Sequence, residues 1–185
     1  RTITEQTVKS DEVIIVDDGS SDKSIQILNG YKIQNTRYKI LRQSHKGPGI
    51  ARNFGVSKAK GDILVFIDAD MTFEKSFLAK LTEPIRNGKT KGTFTKDEYV
   101  SNWDNPWSRC WNFNQGSNER RRIRSGYPDE APVFRAILKK EFEKASGFED
   151  IGYTDDWTLS RKLGYKASIA KGALCYHQNP NSLKE

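Results

Sequence analysis

Two short apolar runs in this chain end on paired carboxylates, and that pairing limits the folds open to it. Ile63-Leu64-Val65-Phe66-Ile67 runs straight into Asp68-Ala69-Asp70. Five consecutive apolar residues, mostly β-branched or aromatic, read as a strand covered on both faces, the habit of α/β sheets. Val13-Ile14-Ile15-Val16 likewise stops at Asp17-Asp18, and Gly19, Ser20, Ser21 and Asp22 lead into a helical pattern carrying Ile25 and Leu28. Strand, acidic turn and helix make one half of a βαβ unit. In open α/β sheets ligands bind at the carboxyl ends of the strands, so both acidic pairs stand where a site is expected. Paired hard oxygen ligands suit Mg²⁺ or Mn²⁺, ions that usually bridge to substrate phosphates. Asp-x-Asp is also an ordinary polar turn, and Asp and Ser ahead of a helix are ordinary caps. Capping accounts for one acid, but not for Asp17 with Asp18 and a second acidic strand end.

The rest of the chain alternates in the same way. A strand over 38–41, a helix over 47–59 closed by Gly61, a helix over 74–86 with Pro84 disturbing its last turn, and a short strand at 93–95 follow in order. That alternation predicts a mostly parallel sheet with helices on both faces. From 97 to 130 the pattern fades. Trp103, Trp107 and Trp111 are spaced four apart there, which suits one helical face packed in a core, with an acceptor platform or a membrane-facing patch as the lesser reading. Order returns at Pro132-Val133-Phe134-Arg135 with a helix near 138–145, an acidic helix over 156–163 stopped by Gly164, and strands near 166–170 and 173–176 that deliver His177.

At 185 residues the chain fits one domain. No run is long enough to cross a membrane and no signal peptide is visible. Two cysteines, Cys110 and Cys175, are too few for a disulfide framework or a zinc site, which points to a reducing compartment. The expectation is a cytoplasmic location, with peripheral contact at the inner face of a membrane left open. The net charge of +7 suits nucleic acid, an anionic membrane or a phosphorylated ligand. Arg120-Arg121-Arg122-Ile123-Arg124 holds much of it, either as a solvated surface or as an anion-binding loop.

Taken in order, these motifs resemble those of the family 2 glycosyltransferases, inverting enzymes with the nucleotide-sugar-binding GT-A fold. Val16-Asp17-Asp18-Gly19-Ser20-Ser21-Asp22 is similar to the family's first nucleotide-binding turn, and Lys46-Gly47-Pro48-Gly49-Ile50-Ala51-Arg52-Asn53 to its glycine-rich segment. Asp68-Ala69-Asp70 resembles its metal motif, Gly147-Phe148 with Thr154-Asp155-Asp156 the segment bearing the catalytic base, and His177 its C-terminal metal-shell histidine. The first strand of the fold, which precedes the Asp17 turn in the family, is missing from this chain, and Asp155 stands where Glu is common. The resemblance implies one GT-A catalytic domain over 1–185, with a nucleotide-binding half (1–96) and an acceptor and catalytic half (97–185).

The resemblance also assigns roles. Asp156 is the expected general base, with Asp155 beside it raising its pKa by like-charge repulsion. Asp17, Asp18, Lys46, Arg52 and Asp68 are expected to bind the nucleotide-diphosphate sugar. Asp70, Asp68 and His177 are expected to hold Mn²⁺ or Mg²⁺. The implied acceptor is a glycan or a polyprenyl-phosphate-type lipid, and no nucleic acid is expected. The alternatives are a sugar-phosphate nucleotidyltransferase, a module that binds the donor without catalysis, and a basic nucleic-acid-binding module, although no G-x-G-x-x-G turn or recognition helix is present.

Overall fold

The computed structural model describes residues 2–30, 37–124, 126–151 and 156–182. A 3₁₀ turn at Thr2–Glu5 leads into β1 (Glu12–Asp18), α1 (Ser24–Gly30) and β2 (Arg37–Gln43). β1 and β2 pair in parallel, so Asp18 ends its strand directly opposite Gln43. α2 (Pro48–Lys58) starts on a proline, whose missing N–H costs nothing in the first turn. β3 (Ile63–Val65), β4 (Met71–Phe73), α3 (Phe77–Arg86), β5 (Gly92–Phe94), β6 (Glu98–Val100) and α4 (Pro106–Asn114) follow. The chain closes with β7 (Glu130–Ala131), β8 (Ala136–Leu138), α5 (Lys139–Lys144), α6 (Thr158–Leu163), β9 (Ala167–Ile169) and β10 (Cys175–His177). Pro84 lies inside α3, which runs two residues beyond it.

The α/β reading holds, and the sheets are mixed rather than mostly parallel. The larger sheet has the order β3-β8-β5-β9-β7. β8 is antiparallel to both β3 and β5, β9 is parallel to β5, and β7 is antiparallel to β9. β3, β5 and β9 therefore all point one way, as strand–helix alternation predicts. β8 arrives instead at the end of the long 101–135 excursion, which holds α4 and the edge strand β7, and inserts antiparallel between β3 and β5. In a second sheet, β10 lies between β4, antiparallel, and β6, parallel. The expected strand over 63–67 stops at Val65, although Phe66 still donates to the Arg135 carbonyl at 2.9 Å.

Successive strand residues face opposite sides of a sheet, and two cores form accordingly. Leu64 and Ile137 point into one with Val56, Phe94, Phe142, Phe148 and Leu159. Ile63, Val65 and Ala136 point into the other, under α3, with Met71, Phe77, Leu81 and Cys175. Phe66, Phe142 and Phe148 meet with ring centroids 5.1–5.6 Å apart, which ties the end of β3 to the 147–148 segment. Val13, Ile14 and Val16 of β1 and Leu64 and Val65 of β3 line an apolar cleft of about 510 Å³ between the two-stranded sheet and the larger one; Arg52 and Asp68 stand along it.

Candidate active site

The site begins at Asp18. Its carboxylate accepts the backbone N–H of Lys46 at 2.9 Å and of Gly47 at 2.8 Å, with Gln43 donating at 2.6 Å and the His45 ring 3.0 Å away. These bonds fix where α2 starts. Burial acts to raise the carboxyl pKa, but the Gln43 and backbone donors outweigh it and hold the group below its usual range. Asp17 is buried, caps the Ser20 N–H at 3.2 Å and pairs with Arg42 at 3.3 Å. The turn that follows them needs Gly19, at φ +83°, because a Cβ there would sit 2.8 Å from the His45 backbone nitrogen. Both acids thus brace the strand ends, and Lys46 beside them is exposed.

One turn into α2, Arg52 reaches across to the other half of the chain. Nη1 donates to Asp156 at 2.7 Å and Nη2 to Asp68 at 3.0 Å, and its guanidinium stands 5.7 Å over the Phe148 ring. The next residue, Asn53, bonds both the N–H and the carbonyl of Phe148 at 2.9 Å. This double bond docks α2 on the 147–148 segment. Gly147 permits it, since at φ +72° a Cβ would lie 2.5 Å from the Asn53 amide oxygen. Asp156 lies two residues ahead of α6, and Asp155 lies outside the described residues.

Asp68 gives its second oxygen to Arg135 at 3.2 Å. Burial acts to raise its pKa, but Arg135 and Arg52 together hold it low. Arg135 comes from the turn into β8 and lies largely covered between two acids, its other nitrogen standing 3.5 Å from Glu98. Glu98 is buried and still ionised, with a pKa of about 2: burial opposes its charge, and His177, Arg135 and Arg122 overcome that cost. Its Oε1 lies 3.0 Å from His177 Nδ1 and 3.1 Å from Arg122. His177 Nε2 is in turn 2.8 Å from Asp70 Oδ2. Strand register produces that last contact, because β10 sets His177 opposite Met71, the residue after Asp70.

The structure therefore joins Asp156, Arg52, Asp68, Arg135, Glu98, His177 and Asp70 in one unbroken chain of ion pairs. Five of the seven carry sequence-level expectations. Glu98 and Arg135 do not, and Arg135 was the more findable: a lone cation inside Pro132-Val133-Phe134-Arg135-Ala136-Ile137-Leu138 is buried only if paired. Asp17, Asp18 and Lys46 stand apart, at the start of α2.

The fit of a divalent cation follows from the donors. Glu98 holds His177 Nδ1, the usual way a carboxylate orients a metal-binding imidazole, and leaves Nε2 2.8 Å from the Asp70 carboxylate. One carboxylate and one imidazole, completed by phosphate oxygens and water, is a set that Mn²⁺ or Mg²⁺ accepts. Asp68 is placed differently, with both oxygens on guanidiniums. Among the described residues no three His, Cys, Asp or Glu side chains converge as a self-sufficient metal site.

Half of the arginine run is drawn into the fold. Arg121 pairs with Asp97 at 3.1 Å and Arg122 with Glu98, so two of its charges are spent inside the fold. The tryptophans differ from the core expectation: Trp107 and Trp111 are 45% and 43% exposed. No helix among the described residues is long and apolar enough to cross a membrane.

The family model of glycosyl transferase family 2 matches residues 1–145. The chain is 25% identical over 193 residues to the uncharacterized glycosyltransferase EpsJ of Bacillus subtilis, covering 97% of this chain and 56% of EpsJ. It is 34% identical over 85 residues to the glycosyltransferase GlyG of Streptococcus pneumoniae, covering 45% of this chain and 28% of GlyG. It thus spans from under a third to just over half the length of these relatives. Among solved structures, S. aureus TarS in complex with UDP-GlcNAc superposes with a TM-score of 0.72 at 17% identity, over 98% of this chain and 54% of that one. GalNAc-T7 with UDP, GalNAc and Mn²⁺ superposes with a TM-score of 0.69 at 17% identity, over 96% and 39%. At these identities the likeness establishes the fold, which is GT-A.

Proposed function

The chain belongs to glycosyl transferase family 2, and from that premise we propose that it carries the catalytic centre of an inverting glycosyltransferase using a nucleotide-diphosphate sugar. The observation that supports this reading best is the ion-pair chain that brings Asp156, at one end, into the same site as Asp70 and His177, at the other. The neighbours' complexes with UDP, UDP-GlcNAc and Mn²⁺ agree with a nucleotide-sugar donor and a divalent ion. The acceptor, in this reading, is a glycan or a lipid-linked hydroxyl.

Each residue then has a task. Asp70 and His177 would hold Mn²⁺ or Mg²⁺, which when bound supplies Lewis-acid neutralisation of the leaving diphosphate. Glu98 and Arg122 keep the His177 ring turned toward that point. Asp156 takes the proton from the acceptor hydroxyl. The acceptor oxygen bonds to the anomeric carbon on the face opposite the diphosphate, the carbon–oxygen bond to the diphosphate breaks, and the nucleoside diphosphate leaves with the electron pair. Configuration inverts. Arg52 orients Asp156 against Asp68 and adds positive charge beside the donor, while Arg135 fixes Asp68 from behind. Asp17, Asp18 and Lys46, where the end of β1 meets the start of α2, would contact the nucleotide.

The test is a thermal-shift and transfer assay over UDP-, GDP-, CDP- and dTDP-sugars with and without Mn²⁺. Asp156→Asn should abolish transfer while keeping the donor-induced shift, and Asp70→Asn should remove the Mn²⁺-dependent part of that shift. Loss of transfer and donor binding together in Asp156→Asn would remove Asp156 from the role of base. A shift that ignores Mn²⁺ in the parent protein would remove the metal.

A further inference from the structure

Helix α4 is built inside out. A surface helix normally turns its apolar side to the core and its polar side to water. In α4 the side chains that go fully inward are Ser108 and Asn112, 0% and 1% exposed, while Trp107 and Trp111, one turn apart on one flank, are 45% and 43% exposed; Phe113, 50% exposed, lies on the other flank with its ring against Trp103. The inward face is locked by polar bonds. Asn112 donates to the carbonyls of Glu119 at 2.6 Å and Arg121 at 3.0 Å, Ser108 Oγ donates to Asn102 at 2.9 Å, and Asn179 donates to the Ser108 carbonyl at 3.1 Å. Turning the helix to bury its tryptophans would break all of these and strand buried polar groups. Exposure of the Trp107 and Trp111 flank is therefore enforced by the fold, and exposed aromatics sharing one flank mark a surface made for contact.

The charge beside this face says what it contacts. The loop that Asn112 holds beneath α4 carries Arg120, which is exposed and whose guanidinium meets the Val100 carbonyl. Arg124 follows, also exposed. Among the described residues Arg120 and Arg124 meet no carboxylate, unlike Arg121 and Arg122. Indole rings prefer the boundary between headgroups and acyl chains, and arginines beside them attract anionic headgroups.

We propose that the flank of α4 bearing Trp107 and Trp111, together with the exposed Arg120 and Arg124 of the loop bonded to Asn112, seats the protein on an anionic lipid bilayer. Asn179 on the tail of β10 bonds Asn102 at the approach to α4, which ties the start of this helix to the strand that carries His177. The docking itself stands apart from the assignment of the catalytic residues, and its test reads binding only.

The experiment is co-sedimentation with extruded vesicles of phosphatidylcholine alone, or with roughly a third phosphatidylglycerol, at low and at physiological salt. The unaltered chain should bind the anionic vesicles at least about tenfold more tightly than the neutral ones, each exposed arginine contributing about fivefold. Trp107→Gln with Trp111→Gln should lower that binding by more than about tenfold without changing circular dichroism or melting, since neither ring is in a core. Arg120→Gln with Arg124→Gln should remove the preference for anionic vesicles. No binding to either vesicle, full binding by the tryptophan variant, or self-association through this face with vesicles ignored would each overturn the proposal.

Discussion

Replacing Glu98 with glutamine separates the charge at the centre of the site from its shape, and the structure sets the size of the effect. The Glu98 side chain is 8% exposed and lies within 3.0–3.5 Å of His177, Arg122 and Arg135. Its pKa falls from an ordinary 4.5 to about 2. At about 1.4 kcal/mol per pH unit, ionised Glu98 contributes about 3 kcal/mol to the folded state. Breaking a buried ion pair from one side costs about 3–5 kcal/mol, so an independent route reaches the same figure. Because the folded-state pKa is depressed, this stabilisation is complete above about pH 5, declines as pH falls through 4.5, and is gone near pH 2. Urea titrations in EDTA, which confines the measurement to the protein's own groups, should show Glu98→Gln with its midpoint lowered by about 1.5 M at pH 7. The gap should close on acidification, until the two proteins have nearly equal stability at about pH 2. A variant as stable as the parent at pH 7, or one that keeps the parent's full acid-induced loss, would refute the argument that Glu98 is held ionised by its neighbours.

Other consequences of the packing are open to measurement. Asn53→Ala removes both bonds to Phe148 and leaves a backbone N–H and carbonyl unpaired; it should cost about 2–3 kcal/mol in chemical denaturation and weaken transfer through the misplaced Arg52 next to it. Gly92→Ala would drive a methyl to 2.3 Å from the buried Phe134 ring and should destabilise by about 1–3 kcal/mol or more, read as a lower melting temperature. The cysteines should separate cleanly with a thiol reagent at neutral pH. Cys110 is exposed and should react at once, while Cys175 is buried with its thiol pushed up to about 12 by burial and by Glu98, and should react only on unfolding.

The elements that sequence reading found are those whose signal is local. Apolar runs closed by acids became β1 and β3, the glycine-proline segment became the start of α2, and His177 arrived at the end of a strand. The 97–130 stretch was opaque because α4 reverses the usual polarity: its inward residues are Ser108 and Asn112, so periodicity placed its tryptophans in a core they do not enter.

What the amino-acid order alone determined is where the acids stand, at strand ends, because hydrophobic runs and turn chemistry are properties of neighbouring residues. What only the tertiary structure decided is which charges those acids meet. Arg52 bridges Asp68 and Asp156 across 104 positions of sequence, and Glu98 holds His177 across 79. Arg135 reaches both Asp68 and Glu98 because β8 enters antiparallel beside β3, a pairing that no local pattern encodes. Charge pairing at buried positions depends on distances of a few ångströms between segments far apart in the chain, and folding is what supplies them.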